Sequence, residues 1–106
     1  MWQQRSADVF LGLPYDITMY GLLLEMLAKG AGLKAGQLIG QLGDCHLYNN
    51  HLEQAKEYRD RPRRAMPQLE LESGINYLAY IPEASSIKLN NYNPYAAIKA
   101  ELSVGK

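Results

Sequence analysis

Apolar positions along this chain recur with two different periods, and the changes of period predict its elements. Residues 4–11 carry a β-compatible run, Asp8-Val9-Phe10-Leu11, stopped by Gly12 and Pro14. Ile17, Tyr20, Leu23, Leu24 and Leu27 then recur at helical spacing. A helix is therefore expected from about 14–16 to Gly30, with Gly30 and Gly32 available to end it, and it reads as the core helix of the domain. Residues 36–48 read as an extended strand that buries Leu38, Ile39, Leu42 and Leu47. The glycines at 40 and 43 point to a bulge or a close approach of backbone. A polar helix is expected over about 50–59, then a loop at 62–67 whose prolines forbid a central strand. Two further short strands are expected at 69–71 and 87–89. This order predicts an α+β fold, a mixed β-sheet packed by one long helix and a shorter one.

Size and composition narrow the classes. At 106 residues the chain is long enough for one core and too short for two, so 1–106 is read as a single domain. Apolar residues make up 47%, which excludes a disordered tail. Lys and Arg number 11, as do Asp and Glu, so no global field draws the chain to nucleic acid. A small phosphorylated metabolite needs only a local cluster of cations. The one cysteine cannot form an internal disulfide, and no apolar stretch is long enough to span a bilayer. Residues 1–5 have no apolar region behind them of the kind a signal peptide carries. Cytoplasmic location, no membrane association and no metal site are the expectations.

Several residues have chemistry suited to an anionic, hydroxyl-bearing ligand. Arg5 offers a permanently charged fork and Ser6 a hydroxyl donor, a pairing that matches phosphate oxygens. Ser6 and Asp8 share a strand face, being two apart, and so do His46 and Tyr48. An imidazole and a phenol at that separation can both bind one sugar hydroxyl. Asp44 sits on the same face and is expected to orient the site and not to touch the ligand. Cys45 has the opposite parity, so its thiol is expected to point away. Asn50 and His51 are expected to cap the helix that begins there. Arg59, Arg61, Arg63 and Arg64 flank Pro62 and read as a solvated loop after a helix C-terminus.

Two motifs carry a more specific signal. The first is Arg5-Ser6-Ala7-Asp8 followed by Gly12-Leu13-Pro14-Tyr15-Asp16-Ile17. The second is Gly43-Asp44-Cys45-His46-Leu47-Tyr48-Asn49-Asn50-His51. In this order and spacing they resemble the C-terminal half of the thymidylate synthase family, which includes deoxycytidylate hydroxymethylases. The resemblance implies a nucleotide site at Arg5, Ser6, Ala7, Asp8, Asp16, His46 and Tyr48. Arg5 and Ser6 would take the phosphate, and His46 and Tyr48 the 3′-hydroxyl. It also implies a folate site at Asp8, Gly12 and Ser103. Asp8 could instead cap backbone donors at a strand end, and Gly12 could be an ordinary turn glycine.

In that family a cysteine thiolate adds to C6 of a pyrimidine nucleotide and thereby activates C5 toward the one-carbon unit of 5,10-methylenetetrahydrofolate. The family's nucleophile lies in a Pro-Cys-His context that this chain does not contain, so no catalytic residue is assigned here. The missing N-terminal part is then a partner, beside a pyrimidine nucleoside monophosphate and folate, and the complete protein is expected to be a homodimer. Asp16 stands where the family usually has Asn. A carboxylate suits cytosine and an amide suits uracil, so Asp16 favours hydroxymethylation of dCMP or CMP over methylation of dUMP to dTMP. A helix N-cap is the other reading of Asp16. The segment 98–104 resembles the family's closing tail with Glu101 in place of Pro, and Gly105-Lys106 extend past it. The alternative to an enzyme part is a stand-alone nucleotide-binding domain without catalysis.

Overall fold

Asp8 ends the first strand by turning its own side chain on the backbone. Its Oδ1 accepts hydrogen bonds from the amides of Phe10 (3.2 Å) and Leu11 (3.4 Å), so the chain turns there and does not continue a ladder. The computed structural model describes residues 1–103. Its strand β1 is Trp2–Asp8, earlier than the 4–11 expected from the apolar run. Helix α1 follows at Leu13–Gly30, and β2 is Gly40–His46. A 3₁₀ turn at Asn49–His51 leads into α2, Leu52–Asp60. Strand β3 is Gln68–Leu71, and after a second 3₁₀ turn at Ala84–Ser86 comes β4, Ile87–Asn90.

The α+β class holds, but the strands do not form one mixed sheet. Among the described residues β1 and β2 pair in parallel, and β3 and β4 pair antiparallel as a separate two-stranded sheet. A parallel pair needs a long crossover, which α1 and its flanking loops supply between β1 and β2. The chain groups into two compact units. One contains Met1–Gly21, Leu38–Pro62 and the segment from Ala96 onward. The other contains Leu22–Gln37 and Arg63–Tyr95, so α1 runs from the first into the second.

In the first unit β2 is shorter than the 36–48 expected, because pairing with β1 limits it to seven residues. Leu38, Leu42 and Leu47 are half-buried and Ile39 is exposed, so the burial expected of all four is only partial. Of the two expectations for the glycines at 40 and 43, a bulge or a close approach, the close approach is found. A Cβ on Gly43 would lie 2.6 Å from the Arg5 carbonyl oxygen, and one on Gly40 would meet the Trp2 indole. Trp2 in turn stacks on Tyr20 of α1, ring centroids 5.0 Å apart.

Helix α1 ends in a Schellman motif. Leu33 N–H donates to Ala28 O (2.8 Å), Gly32 N–H donates to Lys29 O (3.2 Å), and Gly32 sits at φ 71°. The expectation of a core helix is only partly met. No residue of α1 is fully buried, and Ile17, Leu23 and Leu27 stay 45–46% exposed.

The second unit is held by backbone-directed side chains. Tyr77, 5% exposed, donates its hydroxyl to Glu72 O at 2.7 Å. Burial, with Glu72 nearby, pushes that phenol above the ordinary tyrosine range and keeps it a donor. Arg64 is a brace and not simply a solvated cation. Its Nη1 donates to Asn93 O (3.0 Å) and Pro94 O (3.2 Å), and its guanidinium lies 3.7 Å over the Tyr95 ring. In the first unit Arg61 does the same for Ala96 O at 2.8 Å while pairing with Glu57.

Candidate functional site

The parallel register of β1 and β2 decides which side chains share a surface. Ser6 lies opposite Asp44, and Asp8 opposite His46. Partners in a parallel ladder point to the same side, and alternate residues repeat that side. Ser6, Asp8, Asp44 and His46 therefore form one face, the face on which Trp2 and Gln4 also lie and meet α1. Residues 38 apart in the chain become neighbours by this pairing.

His46 is oriented by its own strand. Its Nδ1 lies 3.2 Å from Asp44 O and 3.4 Å from Asp44 Oδ1, and both are acceptors. Nδ1 is consequently the nitrogen that carries the proton in the neutral ring, and Nε2 is left as an acceptor for a hydroxyl. Tyr48, just past the strand, meets the His46 ring edge to face at 4.9 Å. The imidazole and phenol are thus brought together as their spacing suggested, and Asp44 contacts His46.

Asp16 is not a helix cap. Helix α1 begins at Leu13, and the Asp16 amide already donates to Gly12 O at 3.1 Å inside the helix. Its Oδ2 accepts the Gln4 side-chain amide at 2.9 Å. Gln4 is itself fixed. Its Nε2 also donates to Ser6 O (2.9 Å), and its Oε1 accepts from Trp2 Nε1 (3.1 Å). The sequence reading missed Gln4, since no motif or periodicity separates it from a surface glutamine.

Other assigned residues fall less neatly. Arg5 has the parity opposite to Ser6, is exposed, and lines a shallow open depression with Gln3, Gln4, Gln41, Leu42 and Gly43. Among the described residues it makes no ion pair. Ala7 is completely buried. Asp8 spends one carboxylate oxygen on the turn, the capping alternative, and Oδ2 has no partner among the described residues. At Gly12 a Cβ would come within 3.3 Å of Asp8 O, so the turn is tight there. Ser103 is half-buried near the end of the described chain. Cys45 is exposed and opposite in parity to His46.

Asn50 and His51 do not cap α2, because neither side chain bonds a helix amide. They turn instead to the C-terminal segment. Asn50 Nδ2 donates to Glu101 O at 3.2 Å, and His51 Nε2 lies 2.6 Å from the same oxygen. Val104 and the Gly105-Lys106 extension lie outside the described residues. Among the described residues no cluster of His, Cys, Asp or Glu could hold a metal ion, and no helix is long and apolar enough to cross a membrane.

The sequence profile of the thymidylate synthase family matches residues 1–104. A thymidylate synthase of Listeria innocua is 48% identical over 101 residues, covering 95% of this chain and 32% of that protein. One from Corynebacterium aurimucosum is 44% identical, again covering 95% of this chain and 37% of that protein. The chain therefore spans about a third of the length of these relatives. Among solved structures, thermostable thymidylate synthase A from Bacillus subtilis superposes with a TM-score of 0.86 at 28% identity. That match covers 94% of this chain and 36% of the other.

Proposed function

Since this chain belongs to the thymidylate synthase family, we propose that it is the nucleotide-orienting C-terminal part of an enzyme moving a one-carbon unit to C5 of a pyrimidine nucleotide. The observation that carries this reading is the shared face of Ser6, Asp8, Asp44 and His46, with Asp16 joined to it through Gln4. Ser6 and Arg5 hold the phosphate, Arg5 reaching it from the strand edge. His46 Nε2 and the Tyr48 hydroxyl hold the 3′-hydroxyl, and the Asp44–His46 contact sets which imidazole nitrogen accepts. Methylenetetrahydrofolate would supply the one-carbon unit. The residues fit a folate in one respect, since Asp8 keeps Oδ2 outside its turn and can accept pterin N–H groups. Asp8 and Ser103 would hold it.

Asp16 selects the base. Cytosine offers an acceptor at N3 and a donor at N4. A carboxylate accepts from N4–H₂ and, with one shared proton, bonds N3 as well. Uracil sets its O4 acceptor against the same carboxylate and leaves a buried polar group unpaired, at a cost of about 1–3 kcal/mol. Gln4 holds the carboxylate by one oxygen, and the helix amide needs no cap from it, which supports a ligand-facing role. Cytidylate hydroxymethylation follows as the first reading. Methylation of dUMP is the second, and the names of the relatives favour it. Binding of dCMP and dUMP by the complete enzyme at one pH, wild type against Asp16→Asn, separates them. The first reading expects wild type to prefer dCMP and the substitution to reverse the preference. A wild type that prefers dUMP makes the protein a thymidylate synthase.

A further inference from the structure

His51 is the one large side chain with no exposure among the described residues, and nothing in the binding face uses it. It is packed between two rings, Phe10 at 5.6 Å and Tyr48 edge to face at 6.0 Å. Its Nε2 is 2.6 Å from Glu101 O. A carbonyl oxygen only accepts, so Nε2 carries the proton, and the buried Nδ1 has no partner. A buried imidazole with one nitrogen unpartnered is an expensive way to fill space, and an apolar ring would pack there without that cost. What the imidazole adds is the bond to Glu101 O, doubled by Asn50 Nδ2 at 3.2 Å on the same atom. The ring contacts continue through Tyr48 to His46 at 4.9 Å.

We propose that His51 is a positioning residue that fastens the C-terminal segment, residues 96–103, to the strand end carrying His46 and Tyr48. The bond goes to a main-chain carbonyl, so it is indifferent to the side chain at 101.

Amide hydrogen exchange on the whole chain tests this. Without ligand, His51→Ala should speed exchange across 96–103 by about tenfold, the scale of one lost hydrogen bond, and leave the β1 and β2 amides unchanged. His51→Gln, which keeps a side-chain N–H donor, should recover much of the protection, as no purely space-filling role would. Unchanged exchange in 96–103, or an equal rise everywhere in a protein that remains folded, would overturn the proposal. Should His51→Ala unfold the chain, His51→Phe, which keeps a ring in the pocket and removes the donor, decides. A rise confined to 96–103 supports the fastening and no rise refutes it.

Discussion

Asp16 and Arg5 show how one side chain's surroundings decide what it can recognise. Asp16 has its amide bonded within α1 and one carboxylate oxygen taken by Gln4, so only the other oxygen is left for the base contact proposed above. Arg5 is exposed and on the strand side opposite Ser6, so it contributes as a long flexible cation, not as a buried fork. If it holds phosphate, Arg5→Ala in the complete enzyme should weaken nucleotide binding by about 1.5–3 kcal/mol, the range of a hydrogen bond to a charged group. Binding of the matching nucleoside, which has no phosphate, should change little. Titration calorimetry with the nucleotide and nucleoside pair reads the difference, and equal losses would make Arg5 structural.

Helix α1 illustrates what an element's ends require. Its C-terminal Schellman motif needs a residue at φ 71°, a region that costs an L side chain about 1–2 kcal/mol. Gly32→Ala should therefore lower unfolding free energy by that amount in urea, although a Cβ there would touch nothing. Gly36→Ala is the control, since Gly36 also has open space around its Cβ and no positive φ. It should be neutral or slightly stabilising, because alanine restricts the unfolded chain. Equal losses at both positions would mean that surrounding contacts, not backbone conformation, decide the cost.

Across the whole molecule, the described chain assembles the groups proposed above to bind and orient a nucleotide, and its single cysteine stands off their face. Orientation alone does not activate C5, which needs a nucleophile at C6. The purified chain should accordingly turn over neither dCMP nor dUMP in the presence of methylenetetrahydrofolate. Mass spectrometry should find no nucleotide on Cys45. An adduct there, or turnover that vanishes in Cys45→Ser, would refute this. The half-exposed Ile17, Leu23 and Leu27 belong to the same scale, since the stripe their spacing predicts is not buried by these residues.

The sequence by itself determined the helices nearly to their ends, the α+β class and the family. Those follow from periodicity, from Gly and Pro, and from two motifs, all properties of residues close in the chain. It also paired His46 with Tyr48, because two residues at strand spacing share a face whatever they pack against. Only the tertiary structure decided that Ser6 meets Asp44 and Asp8 meets His46, and that the strands form two small sheets. It alone set aside the capping alternative for Asp16 and made it the partner of Gln4, and it turned Asn50 and His51 from expected caps into donors for Glu101. Asp, Asn, Gln and His can each satisfy several kinds of partner. Which partner wins depends on what a distant segment brings within about 3 Å, and local spacing carries no record of that distance.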